Sequence, residues 1–190
     1  INVDGQDQLV SPASMCCLGL NPRTGEEIWR VRYEEHSTTV RPLFDGERLY
    51  LGTGFPRSKM MCVRVGGHGD VTDTHVEWVQ RQNIGSKPSP MLIKQLIFDV
   101  TDKGILEKLD ISSGEIVWKE RLEGDFSASL VANDNYLFAF NHQGTGYVFT
   151  VEEEPRLVSK NVLDAGCNAS PAIVDDSLIV RTTTHLYRLK

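Results

Sequence analysis

"SSGEIVWKE" at residues 112–120 has a near copy, "RTGEEIWRV", at residues 23–31. In each a tryptophan stands four places after a glycine, Trp29 after Gly25 and Trp118 after Gly114. A third tryptophan, Trp78, sits in "HVEWVQ", and Trp78 and Trp118 are 40 residues apart. Trp29 precedes Trp78 by 49 residues, the extra length falling in the glycine-rich stretch "VGGHGDVTD". A fixed spacing of this size points to a repeated structural unit.

Working outward, a second phrase recurs at the same period: "VRPLFDGERLYLGT" (40–53), "PSPMLIKQLIFDV" (88–100), "SASLVANDNYLFAFN" (127–141) and "ASPAIVDDSLIVRT" (169–182). Each starts on a small residue or proline, runs through an apolar strand, turns (on Asp, Asn or Gly in "FDGER", "ANDNY" and "VDDSL"), and returns as a second apolar strand. Those turn residues tolerate positive φ and suit tight hairpins. A third strand follows ("MMCVRV", "GILEKLD", "GTGYVFTV", "THLYRLK"). The tryptophan strand comes fourth, with "PRLVSK" as a degenerate copy that has lost its indole. No stretch has a helical period long enough to make a helix. Four antiparallel strands repeated about every 40 residues predict an all-β chain of β-propeller blades. In this reading the tryptophan occupies the outermost strand, where a large flat side chain can dock on the neighbouring blade.

Composition narrows the function classes. A net charge of −6 argues against a nucleic-acid surface, which needs clustered Lys and Arg. No run of about 18 apolar residues crosses a membrane. The opening "INVDGQDQ" carries no signal segment, which reads as an interior cut of a longer protein or a processed product. The cysteines, Cys16, Cys17, Cys62 and Cys167, follow no zinc spacing.

The best unit, "PSPMLIKQLIF…LDISSGEIVW", resembles the quinoprotein-like (pyrroloquinoline-quinone-like) β-propeller repeat family, whose blade runs Ser-Pro, apolar hairpin, Leu-Asp-x-x-Thr-Gly-x-x-x-Trp. "GDVTDTHVEW" and "SLIVRTTTHLYRLK" are similar to a bacterial group of propeller repeat proteins of unknown role. The resemblance implies the C-terminal half of a seven- or eight-bladed ring. Residues 1–36 give a partial blade, 37–85, 86–124 and 125–166 three full blades, and 167–190 another partial one. The rest of the propeller, or a second copy, would then close the ring. It also implies a non-enzymatic scaffold or binding module for a protein or glycan partner, in the periplasm or at the cell surface. The alternative it offers is part of a quinone-dependent dehydrogenase, with pyrroloquinoline quinone and calcium held mostly outside this segment.

The candidate chemistry is sparse. The adjacent Cys16 and Cys17 match the paired cysteines of quinone-dependent alcohol dehydrogenases, but aligning Gly25 with Gly114 puts them mid-strand on opposite faces, as buried small hydrophobes. Trp29, Trp78 and Trp118, with Gly25 and Gly114, are expected to be structural blade markers, which leaves no indole for a quinone floor. Asn21 and Asp110 read as turn formers. His68, Asp70, Asp73 and His75 are weak metal candidates on one loop. Their spacing matches no common zinc or calcium loop, and a solvated inter-strand loop explains them equally. The isolated His36, His142 and His185 read as structural or surface residues.

Overall fold

The computed structural model describes all residues, Ile1–Lys190. They form an all-β chain of blade-like antiparallel sheets, in two compact units.

The first unit comprises Ile1–Ser86 with the turn Ser112–Gly114. It begins with a two-stranded ribbon, β1 (Asn2–Val3) and β2 (Gln6–Asp7), turned at Asp4 and Gly5, both at positive φ. Sheet 1 follows with β3 (Leu9–Pro12), β4 (Cys16–Leu20) and β5 (Glu27–Arg32). Sheet 2 contains β6 (Leu43–Phe44), β7 (Arg48–Gly52) and β8 (Met60–Arg64). The chain then adds a short strand, β9 (Gly69–Asp70), and one helical turn, α1 (Thr72–His75). It completes sheet 2 with β10 (Val76–Gln80). Cys17, Trp29, Val31, Leu49, Leu51, Met61, Val63 and Val71 make the core of this unit.

The second unit is Lys87–Ile111 and Glu115–Lys190. Sheet 3 runs β11 (Met91–Ile93), β12 (Leu96–Val100), β13 (Ile105–Leu109) and β14 (Ile116–Arg121). Sheet 4 is β15 (Val131–Ala132), β16 (Tyr136–Phe140), β17 (Thr145–Thr150) and β18 (Leu157–Val162). Sheet 5 has three strands, β19 (Ala172–Val174), β20 (Ser177–Arg181) and β21 (Leu186–Leu189). Its largest core joins Phe98, Val100 and Leu106 to Phe126, Leu137, Tyr147 and Phe149. The second strands β7, β12 and β16 are largely buried, as apolar side chains on both faces of a stacked sheet require.

Local chemistry explains the repeated phrases. Between β4 and β5 the Asn21 side-chain oxygen accepts from the N–H groups of Arg23 and Thr24, and Gly25 N–H donates to the Asn21 carbonyl. Gly25 and Gly114 both take positive φ, where a side chain would be strained. The small residue opening each inner strand also has a task in the second unit. Ser89 N–H donates to Ser129 Oγ at 3.0 Å, and Ser129 N–H to Ser170 Oγ at 3.0 Å, linking three successive sheets.

Two expectations need correcting. The tryptophan strand is not the outermost one in sheet 1, because β9 pairs in parallel on the far side of β5, Trp29 opposite Gly69 and Arg30 opposite Asp70. The loop at 66–75 is therefore partly regular, and it contains a single helical turn where no helix is expected. A four-residue turn lies below the reach of any helical period.

Candidate functional site

The strands β5, β10, β14 and β18 each have a β-bulge immediately before one side-chain position. The register shifts just before Trp29 on β5, Trp78 on β10, Trp118 on β14 and Ser159 on β18. A bulge re-aims the side chain that follows it. Trp29 is buried, lies over Gly19, and donates from Nε1 to Gln8 Oε1 at 2.8 Å. Trp78 is half-buried, and a Cβ at Gly114 would fall 2.3 Å from its Cε3. Beside it, Gln80 Nε2 donates to the Gly114 carbonyl at 3.0 Å. Trp118 is half-buried, its ring edge-on to Phe149 with centroids 5.9 Å apart.

The cysteines take the places that the alignment predicts. Cys16 pairs with Arg32 as Ile105 pairs with Arg121, and Cys17 with Val31 as Leu106 with Glu120. Cys17 is fully buried and Cys16 partly exposed, and all four thiols are free. Burial, reinforced by Cys16, pushes the Cys17 thiol up to about 12. Burial, with Glu77 adding to it, pushes Cys62 up to about 12. The two sulfurs lie on opposite faces of β4, and Asn21 is held in its turn.

The 66–75 loop separates its candidates. Asp70 accepts from Thr72 Oγ1 at 2.6 Å and pairs with Arg32 Nε at 2.6 Å. Those two contacts, the threonine's first, pull its carboxyl down to about 2. His75 bonds Thr74 Oγ1 through Nδ1 at 2.8 Å, and burial followed by the Arg64 charge lowers its pKa. His68 and Asp73 are exposed, and no three of these side chains form a metal-holding group.

Two polar pairs escape sequence reasoning because their members lie far apart in the chain. His142 Nε2 meets Ser127 Oγ at 2.8 Å. At the matching places of sheet 3, Lys87 N–H donates to Asp102, so this pair repeats a structural tie. Lys59 Nζ lies 2.5 Å from Oε1 of Glu35, whose side chain is buried and whose Oε2 has no hydrogen-bond partner.

An apolar cleft of about 520 Å³ lies in the second unit, between sheets 4 and 5. Phe138, Val148, Ile173, Leu178 and Leu189 line it, with Asp175 and Asp176 on its wall. Beside it, β21 pairs only with β20, so its other edge is open. Exposed apolar residues occur on the strands of these two sheets: Leu157, Val158 and Val162 on β18, Ile173 and Val174 on β19, and Leu186 on β21.

Blade-like sheets of this kind recur in solved structures. BamB from Moraxella catarrhalis superposes with a TM-score of 0.74 at 16% identity, over 96% of this chain and 57% of that one. The fold is a β-propeller. The computationally designed Ika8 protein gives a TM-score of 0.76 at 12% identity, covering 96% of this chain and 55% of that one. BBS1N, solved in complex with ARL6DN, gives 0.68 at 15% identity, covering 95% and 56%. The chain thus spans little more than half the length of each neighbour. No family model and no curated protein sequence matches it.

Proposed function

We propose that the chain is a non-catalytic propeller scaffold that offers sheet-edge surface to a protein partner. The observation that carries this reading is the open edge of β21, which itself exposes Leu186, in a pair of sheets with further exposed apolar side chains on β18 and β19. An unpaired strand edge is a template for an incoming strand, and clustered exposed apolar residues mark contact surfaces. BBS1N, a structural neighbour solved with a protein partner, supports it by analogy of fold. The reading assigns the chain no cofactor, and the repeat resemblance supports a place in the periplasm or at the cell surface. Ring closure, by the rest of a longer propeller or by a second copy, is the alternative occupant of that same edge.

Photo-crosslinking tests it. A crosslinker at Leu186 should capture one defined protein, identified by mass spectrometry, while one at the exposed turn residue Arg23 does not. Leu186→Glu should abolish a complex reconstituted from the purified pair. Equal, scattered capture from both positions would refute the scaffold role. So would dye reduction by the purified protein after addition of pyrroloquinoline quinone and Ca²⁺.

A further inference from the structure

Sheets 3 and 4 meet through two cross-strand rows. On sheet 3, Met91, Phe98, Lys108 and Trp118 stand opposite one another in turn. On sheet 4 the row is Ala132, Leu137 and Phe149. Where the rows meet, the Trp118 ring abuts Phe149.

One sheet further along, both rows recur. Sheet 4 presents Val131, Phe138, Val148 and Ser159, and sheet 5 presents Ile173, Leu178 and Leu189. By register, Ser159 stands where Trp118 stands, and Leu189 where Phe149 stands. The bulge that aims the indole is kept on β18, although the indole is gone. Ser159 instead takes a hydrogen bond from Asn161 Nδ2 at 3.1 Å. Cys167 and Val180 pack in a buried cluster with Phe140, which also lines the cleft. The cleft of about 520 Å³ is lined by Val148, the cross-strand partner of Ser159, and by Leu189, the register counterpart of Phe149.

We infer that this cleft is a receptor for an indole side chain presented by a partner protein. An indole holds this register position on β5, β10 and β14, and Trp29 and Trp118 pack against apolar side chains of the next sheet. Asp175 and Asp176 supply carboxylate acceptors at the wall for an indole N–H, as Gln8 does for Trp29. The cleft adjoins the open edge of β21, so a ring carried on an extended strand can lay its main chain along that edge. The protein origin of the ring rests on the scaffold reading; the preference of the cleft for an indole does not.

N-acetyl-tryptophan amide, titrated into the methyl-labelled protein, tests the cleft by NMR. The methyl signals of Val148, Leu178 and Leu189 should shift saturably, with N-acetyl-leucine amide binding at least about tenfold more weakly. Ser159→Trp should abolish the shifts and raise the Tm, while Ser159→Ala keeps them. Should Ser159→Trp fail to fold, Leu189→Glu, at a partly exposed position, should abolish them instead. No shift up to the solubility limit, equal binding of the leucine amide, or shifts that survive both blocking variants would overturn the receptor. An extended peptide with a central tryptophan should bind at least about tenfold tighter than the amide. Equal affinity would overturn the partner-protein origin. Failure of ring binding would leave the Leu186 crosslink standing, and quinone-dependent dye reduction would sink the scaffold without touching the ring shifts, so the two failures are distinguishable.

Discussion

The indole of Trp29 lies flat across Gly19, its partner on the neighbouring strand: a Cβ at Gly19 would fall 2.1 Å from Trp29 Cε2. Only a residue without a side chain leaves room for the ring there. Gly19→Ala should therefore lower stability by about 2 kcal/mol through overpacking. Trp29→Ala should cost more, about 3–5 kcal/mol, because it empties a buried site and frees the Gln8 amide. Urea unfolding checks both. In the Trp29→Ala background the Gly19→Ala change should lose its penalty, since the two sites share one space.

Breaking the Lys59–Glu35 pair should be expensive for its size. The Glu35 side chain is only 4% exposed, so Lys59→Met leaves a carboxylate buried without its counter-charge. The expected loss is about 3 kcal/mol in chemical denaturation. Lys59→Met with Glu35→Gln should recover much of it. A single-variant loss near zero would mean that water already reaches Glu35.

Acid should loosen the edge of sheet 1. The Asp70 carboxyl is pulled to about 2 in the fold from an unperturbed 3.8. Its contribution is thus complete above roughly pH 4 and is lost as the pH falls through roughly 2. Amide exchange at Val71 and Arg32, which hydrogen-bond across this edge, should accelerate in that window. Asp70→Asn should remove the pH dependence.

The thiols should divide by reactivity. Cys17 and Cys62, each raised to about 12 by burial, and Cys167, also raised by burial, hold almost no thiolate at pH 8. Iodoacetamide at pH 8 should label only the partly exposed Cys16 in the native chain, and all four cysteines in guanidinium. Rapid native labelling of two or more would contradict the burial described.

The propeller was legible in the sequence because the blades repeat their strands and turns, and three of them the indole, at nearly fixed spacing. Hairpin chemistry marked the strand ends, and the pairing of Cys16 and Cys17 followed from aligning Gly25 with Gly114. The sequence also shows that "PRLVSK" lacks a tryptophan. It does not show that the neighbours leave the space open instead of collapsing onto Ser159, because that depends on how Phe138, Leu178 and Leu189 pack. Nor does it reveal β9: a two-residue parallel pairing has no periodicity, and its partner strand lies some 40 positions earlier. The Glu35–Lys59 pair is hidden for the same reason, since only the fold brings the two loops together.

The short strand β9 changes how the first unit comes apart. In stacked repeats each module ordinarily touches its neighbour only through side-chain faces, so end modules can fray singly. Here the chain leaves sheet 2 after β8, stitches itself by main-chain hydrogen bonds to β5, and returns to finish sheet 2 with β10. Peeling off the first module would tear the lead-in to the second module's last strand, and that seam makes the pair a single cooperative block.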